Sequence, residues 1–137
     1  MACLCKGAGE QMTFTIPFPP VTKKNSQQIW HNRKTGKPFV AQSKRYIQYE
    51  NDVCKSLPPV LRLKIAYPIN LAAKYYMPSK RRVDLVNLIE ALQDVLVKAN
   101  VLEDDNSKIV VSTDGSRVKY DKARPRTEIT ITRIQNE

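Results

Sequence analysis

Lys80-Arg81-Arg82-Val83-Asp84-Leu85-Val86-Asn87-Leu88-Ile89-Glu90-Ala91-Leu92-Gln93-Asp94-Val95-Leu96-Val97-Lys98 is a basic run opening into an amphipathic helix, followed by the acidic turn Leu102-Glu103-Asp104-Asp105. Leu85, Leu88, Ile89, Leu92, Val95 and Leu96 recur at the spacing of a helix that buries one stripe. Asp84 stands just ahead of that stripe, where a carboxylate caps free backbone N–H groups. At about 100° per residue, Asn87, Glu90, Asp94 and Lys98 share the opposite face.

Six of the thirteen acidic residues lie between Asp84 and Asp105, directly behind three consecutive basic ones. A surface built only to hold phosphate excludes carboxylates. Both signs together make sense if a divalent cation bridges carboxylate and phosphate oxygens. Mg²⁺ suits that role, because it takes one or two carboxylates, keeps several waters and accepts substrate phosphate. A solvated helix face with a capping Asp and an acidic turn is the alternative that the helix alone leaves open.

The wording of the stretch carries more. Met77-Pro78-Ser79-Lys80-Arg81-Arg82-Val83-Asp84-Leu85-Val86-Asn87-Leu88, followed by Asp105, resembles the RusA family of Holliday junction resolvases. That family's pattern is Met-Pro, a basic run, Asp-Leu-Asp-Asn-Leu, a helix, then Asp-Asp. Ile16-Pro17-Phe18-Pro19-Pro20 is similar to the family's first strand and its Pro-rich exit. The likeness runs from Thr13 to Ile134, with its specificity in the central stretch. It implies a RusA-like endonuclease acting on four-way junctions as a homodimer. Two positions depart from the pattern. The second Asp of Asp-Leu-Asp-Asn is Val86, and the helical Lys of the best-known branch is Glu90. Residues four apart share a helix face, so Glu90 is positioned to supply the carboxylate that Val86 lacks. A family member with a damaged site is the competing reading.

A chain of 137 residues is enough for one domain with one core. Its net charge of +10 points to a polyanionic partner. No run approaches the roughly 18 apolar residues of a membrane span, and the first residues show no secretory pattern. A cytoplasmic protein with no membrane partner is expected, and the family resemblance implies a bacterial or phage origin. Cys3, Cys5 and Cys54 cannot all pair, and His31 is the single histidine, so the four ligands of a structural zinc site are missing. Reduced thiols are the expectation.

Residues 1–11 lack periodicity and are expected to be a disordered extension, with the folded domain spanning 12–137. Thr13–Ile16 alternates as a strand and ends at Pro17, Pro19 and Pro20. Met12 to Tyr49 contains no acidic residue but seven basic ones, among them Lys23, Lys24, Arg33 and Lys34. Asn25, Gln27, Gln28, Trp30, His31 and Asn32 lie between them, side chains suited to phosphate and base contacts. Thr35-Gly36-Lys37-Pro38 reads as the turn of a hairpin joining 27–32 to 38–41.

Ser43 opens a second helical pattern through Tyr46, Ile47, Val53 and Leu57, stopped by Pro58-Pro59. Leu61, Leu63 and Ile65 alternate weakly. Ile69 to Met77 alternates cleanly and reads as a half-buried strand that delivers Lys80-Arg81-Arg82 and Asp84 at its exit. Ile109-Val110-Val111 reads as a short buried strand, Asp114-Gly115 as a turn, and Thr127–Thr132 as a β-branched closing strand. The fold class is α+β: a single domain with a small mixed sheet and two main helices.

The function expected is a Mg²⁺-dependent endonuclease on branched DNA, with Mn²⁺ as a substitute ion and no small-molecule cofactor. Asp84, Glu90 and Asp105 would hold the metal, with Asp104 and Asp94 as secondary candidates. Lys80, Arg81 and Arg82 would position the scissile phosphate, Arg82 closest to the chemistry, and offset developing charge. Lys23, Lys24, Arg33 and Lys34 would hold the flanking arms. A basic nucleic-acid binding module without cleavage is the alternative, kept open by Val86. No Gly-rich phosphate loop or nucleophile triad supports a third class.

Overall fold

The computed structural model describes residues 3–5, 10–23, 27–42 and 44–135. Its elements are strands β1 (Cys3–Cys5), β2 (Gln11–Ile16), β3 (Gln27–His31) and β4 (Pro38–Gln42), helix α1 (Lys44–Ser56), strand β5 (Ile69–Met77), helix α2 (Leu85–Lys98), and strands β6 (Val110–Ser112), β7 (Arg117–Tyr120) and β8 (Arg126–Arg133). This is the expected α+β arrangement.

β8 is the middle of the main sheet. It pairs antiparallel with β5 from Tyr76↔Arg126 to Ile69↔Arg133, and with β2 from Ile16↔Thr127 to Gln11↔Thr132. β1 extends β2 on one edge, while β6 and β7 both run parallel to β5 on the other. Period-two alternation sends Met12, Phe14 and Ile16, Ile129 and Ile131, and Leu71, Ala73 and Tyr75 to one face. Tyr46, Tyr49 and Val53 of α1 and Leu88, Ala91, Leu92, Val95 and Leu96 of α2 join the same core.

β6 and β7 form one interrupted edge strand. Asn70 on β5 fills the interruption: its Oδ1 accepts from the Ser112 hydroxyl (2.6 Å) and the Asp114 N–H (2.9 Å), and its Nδ2 donates to the Asp114 carbonyl (3.0 Å). Gly115 takes the left-handed conformation (φ +92°) that the bend requires.

The chain leaves α2 through a Schellman motif. The Asn100 N–H donates to the Val97 carbonyl and the Val101 N–H to the Leu96 carbonyl, with Asn100 left-handed at φ +65°. Val101 and Leu102 are then buried, and backbone bonds from Lys64 to Asn100, Ile65 to Val101 and Glu103 to Ile65 clamp the segment. The acidic turn therefore springs from a fixed base rather than from a free loop.

Several expectations are corrected. Cys3–Cys5 is a strand on the edge of β2, where an extension without structure was expected. Residues 1–2 and 6–9 lie outside the described residues, as does Ser43. Ile47 is 45% exposed, because the buried stripe of α1 runs through Tyr46, Tyr49 and Val53 and position 47 falls about 100° off it. A 3-10 helix, Pro59–Leu61, and a single bridge, Ile65↔Leu102, replace the weak alternation, and Leu63 is exposed. Ile109 is buried, but Val111 is exposed, since β6 is an edge strand. The hairpin stands as its own two-stranded sheet, β3 with β4. Its turn is closed by Asn32 Oδ1, which accepts from the N–H groups of Lys34 and Thr35, and by Gly36 at φ +70°.

Leu102→Ala should cost about 2–5 kcal/mol, because it opens a cavity under the acidic turn. Ile47→Ala should change stability by less than about 0.5 kcal/mol. Urea unfolding of the two variants measures the difference.

Candidate nuclease site

β5 ends at Met77, and Pro78 prevents the strand from continuing. Lys80, Arg81 and Arg82 follow on the surface, and none of them pairs with a carboxylate among the described residues. Lys80 Nζ lies 5.4 Å from the centre of the Tyr120 ring, a cation–π contact that fixes one side of the loop. Tyr120 reaches this place because β7 pairs with the end of β5, in the register Met77↔Tyr120.

Asp84 is the N-cap of α2. Its Oδ1 accepts the Val86 N–H at 2.9 Å, and its second oxygen makes no hydrogen bond among the described residues. Asp84 and Asn87 line an open hollow of about 420 Å³ together with Arg82 and Val83. A carboxylate and a guanidinium thus border one space. Val86 is 67% exposed, the highest value among the exposed large hydrophobic residues described. No core packing accounts for an apolar side chain there.

Further along α2, Asp94 accepts from Lys23 Nζ at 2.7 Å, and the same ammonium lies 5.7 Å from the centre of the Tyr46 ring. Burial pushes the Asp105 carboxyl above the ordinary aspartate range, and the negative charges of Asp94 and Asp104 add to the effect. Asp104 is shifted the other way. It accepts from Asn106 Nδ2 (3.0 Å) and from the Asp105 N–H (2.8 Å), and these bonds favour its charged form. Adjacent aspartates are therefore driven apart: Asp104 holds the turn, and Asp105 bears the cost of ionising.

The sequence-predicted residues are placed unevenly. Asp84 borders the hollow with Arg82, and Asp105 lies within electrostatic reach of Asp94. Glu90 is exposed on α2. Asp84, Glu90 and Asp105 are not gathered into one cluster: among the described residues, no three acidic, His or Cys side chains come together closely enough to hold a metal ion. Asp84 is occupied in part by its capping bond and Asp104 by its turn, which limits their freedom to converge. Lys23, expected on a DNA arm, pairs with Asp94. Arg33 and Lys34 are exposed at the β3–β4 turn, and Lys24 lies outside the described residues.

Three features escape sequence reading. These are the Lys80–Tyr120 contact, the Lys23–Asp94 pair, and Arg126, which stacks 3.8 Å from the centre of the Tyr76 ring while bonding Asp121 and Glu128. The first two join residues 40 and 71 apart, which no local pattern reports. The Tyr76–Arg126 register pair carries the third.

The family model described as endodeoxyribonuclease RusA matches residues 17–132. The chain is 32% identical over 127 residues to the crossover junction endodeoxyribonuclease RusA of Escherichia coli K12, covering 91% of this chain and 97% of that protein. The protein of the same name from Shigella sonnei gives the same identity and coverage. That of enterobacteria phage 82 is 31% identical over 125 residues, covering 90% of this chain and 95% of the relative. With the central motif, the Pro-rich strand exit and the acidic turn all inside the matched span, the chain belongs to the RusA endodeoxyribonuclease family.

Proposed function

We propose that this protein is a structure-specific endonuclease that cleaves four-way and related branched DNA. The observation that carries the reading is a hollow bordered both by Arg82 and by the capping carboxylate Asp84, within a span matched to this family. Lys80, Arg81 and Arg82 supply positive charge for the scissile phosphate and for the charge that develops on it. Arg33 and Lys34, exposed on the hairpin tip, suit backbone contacts to a flanking arm. Paired cuts across a junction need two equivalent sites, so the reading includes a two-fold homodimer.

A divalent cation, Mg²⁺ or Mn²⁺, fits the donors present. The negative charge of Asp94 opposes the ionisation of Asp105, which a cation would relieve, and Asp84 keeps one oxygen outside its capping bond. Such an ion needs only one or two direct carboxylates. Asp84 and Asp105 are therefore its proposed direct holders, Glu90 is proposed to add charge to the site in place of the residue that Val86 replaces, and Asp104 holds the turn. When bound, the ion polarises the phosphate and lowers the pKa of an attacking water. The binding-module reading is favoured by one observation, the exposed apolar Val86 where the family pattern has an acid.

The test is cleavage of a synthetic four-way junction with Mg²⁺ and with chelator, with the oligomeric state measured by sedimentation. Paired incisions that need Mg²⁺, by a dimer of twice 15.7 kDa, are expected. Asp84→Asn and Asp105→Asn should each lower the rate by about 100-fold or more, while binding in chelator persists. Glu90→Gln should do the same, and a wild-type rate in that variant would remove Glu90 from the site. Junction binding without incision under any divalent ion would leave only the binding module.

Asp105 also links the site to stability. Its folded pKa is raised, so the folded state holds this proton more tightly than the unfolded chain. Stability falls as pH rises from the ordinary aspartate value of 3.8 through the folded value, and ionised Asp105 costs stability at neutral pH. Asp105→Asn should therefore melt higher than wild type at pH 7, with the gap closing as the solution is acidified below that range. Added Mg²⁺ should raise the melting temperature of wild type more than that of the variant.

Salt dependence separates the two kinds of lysine and arginine. Arg33→Ala and Lys34→Ala should each flatten the log–log slope of junction affinity against salt by about 0.9 for a B-form arm. Lys23→Ala should leave the slope nearly unchanged, because its ammonium is already neutralised by Asp94.

A further inference from the structure

The hollow at Asp84 adjoins a deeper cavity of about 220 Å³, and the two share Arg82 and Val83 as walls. Two strand ends create it. β2 ends at Ile16 and leads through Pro17-Phe18-Pro19-Pro20 to Val21 and Thr22, β5 ends at Met77 before Pro78, and the prolines keep either strand from running on and closing the gap. Pro20, Val21, Met77 and Pro78 make apolar walls. Arg45, Arg81 and Arg82 line the same space, and none of the three pairs with a carboxylate among the described residues. Arg45 also sits in the first turn of α1, where the helix dipole adds positive potential.

Three guanidinium groups around one small cavity repel each other unless an anion enters. A free phosphate would use the arginines but leave the apolar walls without a partner. A nucleotide uses both, its phosphate on the arginines and its base or sugar against the prolines, Val21 and Met77. At about 220 Å³ the cavity lies below the roughly 300–1,000 Å³ of drug-sized sites, so it excludes a base pair and leaves room for a single base or sugar with its phosphate at the arginine rim. Extracting a base from a stacked duplex costs a few kcal/mol, and least where stacking is already broken. A branch point is such a place.

We infer that this cavity receives one unstacked nucleotide of the strand to be cut and thereby selects which phosphate enters the hollow beside Asp84. This rests on the endonuclease reading and adds to it a specificity pocket built by Val21, Arg45 and the two proline exits. The experiment binds wild-type protein, in chelator, to four-way junctions carrying 2-aminopurine at one position at a time around the branch point. A fluorescence rise of several-fold at one position on each cut strand is expected, adjacent to the bond cleaved when Mg²⁺ is added. Arg45→Glu, a change at an exposed residue, and Val21→Phe, which fills the cavity, should each abolish the rise and spread incision over neighbouring phosphates. No rise at any position with protein that binds and cuts would overturn the pocket, as would a rise and a cut site unchanged in both variants. Failure of wild type to cut any junction would instead strike the endonuclease reading, and the fluorescence would still report on the pocket.

Discussion

The antiparallel ladder that joins β5 to β8 over eight register pairs constrains where the basic run and the capping carboxylate can stand. Strand side chains alternate with a period of two, so a slip of one residue would send Leu71, Ala73 and Tyr75 to solvent and Lys74 and Tyr76 into the core. The core forbids that, and the end of β5 is thereby pinned. From the pinned end the chain has only Pro78 and Ser79 before the basic run. Asp84 then caps α2, which the same core holds from the other side through Leu88, Leu92 and Val95. Basic loop and capping carboxylate are thus anchored at both ends, as a site that positions a phosphate requires.

Charge is distributed by the fold with a consistent logic. The acids that serve structure are satisfied: Asp121 and Glu128 hold Arg126, Glu50 holds Lys98, and Asp104 ties the acidic turn. The groups that border the hollow and its adjoining cavity are not. Arg45, Arg81 and Arg82 have no acidic partner among the described residues; away from that space, in the acidic turn, Asp105 ionises against the charge of Asp94. Unbalanced charge of both signs costs stability in the isolated protein. A bridging cation and a phosphodiester would offset it from both sides.

The departures from the family pattern cluster on one helix. Val86 places an apolar surface where a carboxylate is usual, and Glu90 adds a negative charge one turn on. Lys23 brings a positive charge from the loop after β2 to Asp94, a further turn along α2. Val86 and Glu90 are thus the two departures from the family pattern, and Asp94, paired with Lys23, lies on the same helix beyond them.

How much was legible in the sequence depends on the range of the interaction. Strand β5, helix α2 with its Asp84 cap, the β3–β4 hairpin and β8 were readable, because each is written in neighbours two, three or four residues apart. The basic run and the acidic cluster were equally plain as charge. The N-terminal strand was missed because Cys3–Cys5 has no pattern of its own and is ordered by the free edge of β2. Ile47 was misplaced because the buried stripe of α1 depends on Tyr49, which only the packed core selects. Lys23 was read as a DNA contact from its local company, yet its partner lies 71 residues away. The cavity between two proline exits is made by strands that meet only through β8. Local spacing determined the elements and the chemical types of the site; the long-range register of the sheet decided which of those groups face one another.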